Sequence, residues 1–250
     1  MLGTLRAELR KLLTVRSTYF VTGFAILLMA FIAFYGEGWR LSGGSLSDPT
    51  QLAGDVLGAL NLAVFGAVVA VLLVTHEYRY NTIVYTLTNS NSRSKVLFSK
   101  LIAASVYALI LSAIIGTLSP VMAYLGVHAH GHTLGPQTLH YWNLIWRSLF
   151  YGWGYAMAGF LLALLTRNQI ASVVSLFVIP DLVEQLLRII LKQNVAYLPF
   201  TALNQVIRMG GSMDPYSSTL SPLKSAGVYC VYLALGWIVA WALFLRRDAN

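Results

Sequence analysis

The stretch Leu57–Thr75, LGALNLAVFGAVVAVLLVT, followed at once by His76-Glu77-Tyr78-Arg79, decides the fold. It carries no charge along its length. As an α-helix rising about 1.5 Å per residue, it reaches across a hydrocarbon core about 30 Å thick. Leu101–Leu118 (LIAASVYALILSAIIGTL) and Ala226–Leu245 (AGVYCVYLALGWIVAWALFL) read the same way. Working outward from these three, the sequence predicts six spans, at about 17–36, 56–75, 100–120, 148–166, 170–191 and 226–245. The expected fold is an all-α membrane protein, with residues 1–250 forming a single transmembrane domain.

Composition agrees. The 250 residues are 57% hydrophobic and only 10% charged, whereas soluble domains are about a quarter charged. The net charge of +8 is read as the basic flanks of membrane helices, not as a nucleic-acid surface. The single cysteine, Cys230, lies in an apolar run and cannot form an intrachain disulfide. The N-terminus does not read as a cleaved signal. Its charged lead runs to Arg16, the apolar run Tyr19–Tyr35 exceeds a signal core, and Gly36-Glu37-Gly38-Trp39 follows instead of a cleavage site.

Residues 1–16 predict a basic amphipathic helix lying in the membrane interface. Leu2, Leu5, Leu9, Leu12 and Leu13 recur at helical spacing, and Arg6, Arg10, Lys11 and Arg16 take the other face. The third span ends near 120 or runs as far as Val127, with Pro120 as a kink or stop, and Ile170–Leu191 reads as one segment broken or kinked near Pro180, with a polar outer half. Tyr197–Leu223 reads as an outer region with an amphipathic patch at Phe200–Met209. With both termini in the cytoplasm, the inner segments carry 11 basic and 3 acidic residues and the outer segments 6 of each. The inverted arrangement puts the basic excess on the wrong side.

Motifs for chemistry are sparse. No G-x-x-x-x-G-K-[ST] phosphate loop is present, so this chain has no cradle for a nucleotide. His76-Glu77 begins like a zinc-protease motif, but Tyr80 stands where the second histidine is needed. No catalytic residue and no metal site are assigned. His128, His130 and His132, with His140 nearby, alternate as metal ligands can, but no acid or thiol stands beside them, and a plain polar loop is preferred. Asp181, Glu184 and Arg188 fall at i, i+3 and i+7 on one predicted helix face, with Glu184 and Arg188 spaced to pair. They either line a substrate path or mark where that helix reaches the headgroups. Small residues four apart, at Ala59/Ala63, Gly66/Ala70 and Gly154/Ala158, predict close helix packing.

The segment after the second span carries the strongest signal: His76-Glu77-Tyr78-Arg79-Tyr80-Asn81-Thr82, then Ser92-Arg93-Ser94-Lys95 leading back into the membrane. An acid, a base and a threonine stand where a membrane helix meets the cytosol. This resembles the permease subunits of the type-2 ABC transporter family, in which a Glu-x-Arg-x-x-Thr element ends the second span. Asn81 stands where many relatives have Gly. The resemblance covers the whole chain, from the short N-terminal helix through six spans to the charged section between the fifth and sixth.

What the resemblance implies is an exporter's membrane subunit in the plasma membrane, moving an amphipathic, lipid-like or peptide substrate outward. It implies a second permease chain, identical or not, and separate cytoplasmic ABC ATPase subunits. ATP and Mg belong to those subunits, and no cofactor to this chain. Glu77, Arg79 and Thr82, with Arg10 and Lys11 on the N-terminal helix, are the implied points of coupling to the ATPase, with Glu77 and Arg79 forming an ionic joint. Membrane lipids are expected partners and nucleic acid is not. The competing reading is a secondary transporter or channel using Asp181 and Glu184 as ion carriers. No inverted repeat supports it. An intramembrane enzyme lacks its nucleophile.

Overall fold

The structure, a computed structural model, describes residues 2–40, 64–80, 82, 92–133, 141–208 and 220–246. Among them every regular element is helical. Helix α1 (Leu2–Thr14) turns at Val15 into α2 (Arg16–Phe31), which continues with π-helical winding through Ile32–Trp39. Then come α3 (Val64–Arg79), α4 (Arg93–Ala129), α5 (Tyr141–Thr166), α6 (Gln169–Val178), α7 (Glu184–Leu191), α8 (Pro199–Ile207) and α9 (Pro222–Arg246). Five stretches among the described residues are long and apolar enough to cross a membrane: Arg16–Trp39, Arg93–Ala129, Trp142–Thr166, Gln169–Leu191 and Pro222–Phe244. The molecule is a helical membrane protein. Of the predicted second span, residues 56–63 lie outside the described residues and the rest is α3.

One proline expectation is corrected, the stop at Pro120, and the interruption expected near Pro180 takes the form of a change of winding. Helix α4 runs unbroken through Pro120 for 37 residues, about 55 Å at helical rise. Proline removes one donor, the amide that would reach the Gly116 carbonyl, and the helix continues past it; in the turn before, the Thr117 hydroxyl donates to the carbonyls of Ala113 (2.8 Å) and Ile114 (3.1 Å). At Pro180 the α-helix is interrupted but the segment does not end. It widens to π winding over Ile179–Val183 and resumes as α7, a common way for a helix to absorb a misfit residue. The end of α7 is set by Lys192, whose positive φ of 44° leads into a 3-10 turn, Lys192–Tyr197. The tight turn between α5 and α6 uses Arg167 at φ 52°. Asn168 then caps α6, accepting from the amides of Ile170 (2.9 Å) and Ala171 (3.1 Å).

Helix α5 is the centre of the bundle. In its apolar window 61% of residues are buried, against 17–39% in the four other spanning stretches, so those present most of their surface outward. Tyr151, Ala156, Met157, Phe160 and Ala163 are fully buried along it. The small-residue signal was real but partly misplaced. Ala59/Ala63 lie outside the described residues, and a Cβ on Gly66 would make only an ordinary contact with the Leu111 side chain at 3.4 Å, but one on Gly154 would lie 2.8 Å from the Leu203 and 2.9 Å from the Tyr229 side chain, as close packing there requires. The backbone approaches occur elsewhere. A Cβ on Gly159 would sit 2.7 Å from the Ala67 carbonyl oxygen, which fixes α5 against α3. A Cβ on Gly126 would lie 2.9 Å from Gly38 Cα and 3.0 Å from Trp39 N. The π-wound end of α2 therefore rests backbone to backbone on α4.

Candidate functional site

Helix α1 lays Leu12 into the core and packs Leu5 and Leu9 against it. Glu8 is one turn from Leu5 and Leu12, so it is carried inward with them, and it is 2% exposed. A carboxylate so placed needs a counter-charge. Two lysines meet it. Lys11 Nζ lies 2.9 Å from Glu8 Oε1, and Lys100 Nζ, from the first turns of α4, lies 3.0 Å from Glu8 Oε2. Both ammoniums then converge on a second buried acid, Glu77 near the end of α3. Lys11 approaches its Oε1 at 2.5 Å and Lys100 the same oxygen at 2.7 Å. Lys100 also reaches the Leu73 carbonyl at 3.4 Å.

The result is a neutral square of two acids and two bases joining α1, α3 and α4. Its inner members Glu8, Glu77 and Lys100 are almost wholly buried, while the Lys11 side chain is 41% exposed. The flanking contact of Thr4 with Ser99, 2.9 Å between hydroxyl oxygens, ties α1 to α4 one turn away. Glu77 lies past the apolar part of α3. Burial pushes its carboxyl up, but the nearby ammoniums of Lys100 and Lys11 outweigh that and hold it below the ordinary carboxylate range. Burial likewise pulls the Lys11 ammonium down, and its bonds to Glu77 and Glu8 more than reverse this, leaving it raised.

The implied coupling residues thus divide. Glu77 and Lys11 are in the square. Arg79 is not: two positions along a helix from Glu77, it faces the other way, is exposed, and donates to Gln169 Oε1 at 3.2 Å. The expected ionic joint of Glu77 with Arg79 is replaced by one of Glu77 with Lys11, Lys100 and Glu8. The Thr82 amide donates to the Glu77 carbonyl at 2.9 Å, closing the end of α3. Arg10 is exposed on the opposite side of α1. The sequence reading missed Glu8 and Lys100. The available signal was an acid inside the leucine stripe of a basic helix, and a lysine between Leu97 and Ala104, which are both buried.

The three candidate path residues do not share one environment. The π turn at Ile179–Val183 shifts the register between them. Asp181 is exposed, Arg188 half-buried and Glu184 buried. Glu184 has a definite task. Helix α8 begins Leu198-Pro199, and Leu198 at its N-cap has no side-chain acceptor. Glu184 supplies one from α7: its Oε1 accepts from the Phe200 amide, and its Oε2 from the Thr201 amide and hydroxyl, each at 2.7 Å. An anion at a helix N-terminus is favoured by both the open amides and the dipole.

In the histidine loop, the rings of His130 and His132 stack at 5.3 Å, His130 meets Trp39 edge-on, and His128 bonds the Tyr124 hydroxyl at 2.7 Å. Among the described residues no three His, Cys, Asp or Glu side chains gather as metal ligands. His140 lies outside the described residues.

Residues 12–249 match the family model described as "Protein of unknown function (DUF2705)". The chain belongs to this family. No curated protein sequence matches it. The family match starts at Leu12 and so takes in Glu77 of α3 and Lys100 of α4 but neither Glu8 nor Lys11 of α1.

Proposed function

We propose that this DUF2705 chain is the membrane-spanning permease subunit of an ATP-driven ABC exporter in the plasma membrane. It has six spans, both termini in the cytoplasm, and α1 lying in the membrane interface. It works with a second permease chain and with separate cytoplasmic ATPase subunits, which hold ATP and Mg. Its substrate is amphipathic, lipid-like or a peptide, moved outward. It is a transport subunit and not an enzyme.

The observation that carries this reading is the buried charge square. A subunit driven by another protein's stroke needs a stiff link between the surface that is pushed and the helices that move. Four charges in short contact, three of them removed from water, form such a link. Displacing one leaves an uncompensated charge among the other three in apolar surroundings, and breaking a buried pair costs about 3–5 kcal/mol. α1 and the end of α3 are thereby mechanically one body with α4. The chain lacks a phosphate loop of its own, which is consistent with energy arriving from a partner. The carrier reading is weakened at Glu184, whose two oxygens hold three hydrogen bonds at a helix end. Each protonation cycle would have to dismantle that cap.

The test is purification of the tagged chain from its native membrane, followed by identification of the co-purifying chains. We expect an ABC ATPase in stoichiometric amount. In the reconstituted complex, Glu77→Ala is expected to leave ATP hydrolysis running without transport. Isolation with no ATPase, together with transport driven by an ion gradient, would reject the proposal.

A further inference from the structure

Helix α1 has a second face, turned away from the charge square. Leu5, Leu9 and Leu12 are directed into the bundle, so the leucine stripe is not what this helix offers to a membrane. Its outward face carries Arg6, Arg10 and Leu13, four and three positions apart and all exposed. Leu13 is 67% exposed, and its carbonyl accepts a hydrogen bond from the Tyr19 hydroxyl of α2. The outward face of α1 therefore runs into that of α2, where Arg16, Tyr19 and Phe20 are exposed. From there Arg16, Phe20, Phe24, Leu27, Phe31 and Tyr35 follow one another at three or four positions, all exposed. Four apolar side chains between an arginine and a tyrosine make a lipid-facing stripe with two interfacial ends. Arg16 to Tyr35 covers about 28 Å at helical rise, against a hydrocarbon core of about 30 Å. Arg16 thus stands at headgroup depth, and with α1 in the interface Arg6 and Arg10 stand there too. The charge on this face is not balanced from within its own segment. Residues 1–36 contain a single acid, Glu8, and it is turned inward with its two oxygens held by Lys11 and Lys100.

We propose that this face binds anionic phospholipids of the adjoining leaflet through their phosphates. A guanidinium presents parallel N–H donors that match a phosphate. A zwitterionic head brings its own cation beside the phosphate, so the three arginines select heads of net negative charge, each by about fivefold, or about 1 kcal/mol. The apolar neighbours select the occupant. An acidic protein docked on Arg6 and Arg10 would meet Leu13, Tyr19 and Phe20 at its edge. A lipid uses both kinds of surface, its phosphate on the arginines and its chains along Phe20 and Phe24. Helix α1 is then held on two sides, to the bundle by the charge square and to the leaflet by headgroups. The inference rests on the interfacial placement of α1 proposed above and not on the transport reading.

The experiment uses the full chain in phosphatidylcholine nanodiscs containing a trace of photoactivatable lipid. The probe is either phosphatidylglycerol or phosphatidylcholine, each with a diazirine at the top of one acyl chain. We expect the segment Leu2–Phe20 to be labelled far more by the phosphatidylglycerol probe. Excess unlabelled phosphatidylglycerol should remove that preference, and added salt should weaken it. Arg6→Gln, Arg10→Gln and Arg16→Gln should each lower it about fivefold, and the triple variant should lose it. The matching Lys variants keep the charge and should keep most of the preference. If the triple Gln variant does not insert, the three single variants decide. Equal labelling of α1 by both probes would leave the helix at the interface and overturn the lipid selection. Labelling confined to Phe20–Phe31, with none on α1, would overturn the placement and the proposal with it. A preference unchanged by the Gln variants would overturn the proposal alone. So would an acidic chain that co-purifies with the wild type but not with the triple variant, while neither probe is preferred. Failure to find an ATPase partner would leave every one of these outcomes unaffected.

Discussion

Lys100 and Glu8 stand 92 positions apart in the chain and meet in an ion pair at 3.0 Å, with both side chains at least 96% buried. Removing one partner of a buried pair costs about 3–5 kcal/mol where the other is left unpaired; here Lys100→Met leaves Glu8 and Glu77 with Lys11 alone and the square with an uncompensated buried negative charge. Lys100→Met should therefore lower the thermal midpoint of the purified protein sharply. Glu8→Gln combined with Lys100→Met should recover part of the loss. A double variant as unstable as the sum of the two singles would show that the pair is not coupled.

The square also sets a pH window. Glu77 has a lowered folded pKa, so its contribution is complete above the ordinary carboxylate value and is lost as pH falls through the folded one. Lys11 has a raised folded pKa, so its contribution is complete below the ordinary lysine value and is lost as pH rises through the folded one. Stability should be flat across neutral pH and decline at both extremes. Glu77→Gln should remove most of the acid limb. An acid limb unchanged in that variant would locate its origin elsewhere.

Glu184→Gln keeps the shape of the side chain and removes its charge. Loss of a cap costs about 0.5–2 kcal/mol, so modest destabilisation is expected, with faster amide hydrogen exchange at Phe200 and Thr201. Glu184→Ala should do more. Unchanged exchange at those two amides in both variants would refute the capping role.

Gly126→Ala should be disruptive, since its Cβ would meet Gly38 Cα at 2.9 Å and Trp39 N at 3.0 Å. Backbone cannot rotate aside as a flexible side chain can, and overpacking of this kind costs about 1–3 kcal/mol. Gly23→Ala on the same α2 is the control, with nothing within 4 Å of its Cβ. Equal folded yield from the two variants would contradict the close approach.

The proposed topology puts Thr133 outside and Ser92 inside. A cysteine at Thr133, in a chain with Cys230 replaced by Ala, should react with an impermeant thiol reagent in intact cells. One at Ser92 should react only after the membrane is opened. Labelling of Ser92 in sealed cells would reject the orientation.

How far the sequence could be read follows from the range of each interaction. Long uncharged runs are local, so α4, α5 and α9 were visible, as were Lys11 and Glu77 as charges at a membrane boundary. The far end of α4 was left open between 120 and Val127, because a proline inside a helix reads as a kink or a stop until its neighbours are known, and the helix runs on to Ala129. Glu184 was seen as one of a polar face, whereas its partners are the amides of Phe200 and Thr201, 16 and 17 positions on. The intervening 3-10 turn, Lys192–Tyr197, erases any fixed spacing. Glu8 and Lys100 were passed over because each alone looks like one more charge at the rim. Only the tertiary contact makes them counterparts.

The square has a consequence for biosynthesis. Glu8 is made first, while Lys100 is added 92 positions later, a lag of roughly 5–18 s at about 5–20 residues per second. During that interval Glu8 has only Lys11 of its own helix as a counter-charge, and the first helix, with no α4 to dock against, must wait at the membrane surface with its acid still hydrated. The earliest segment to leave the ribosome is thus among the last to lock. A nascent chain halted before Lys100 should carry an N-terminus still open to protease, and one halted after α4 has inserted should not.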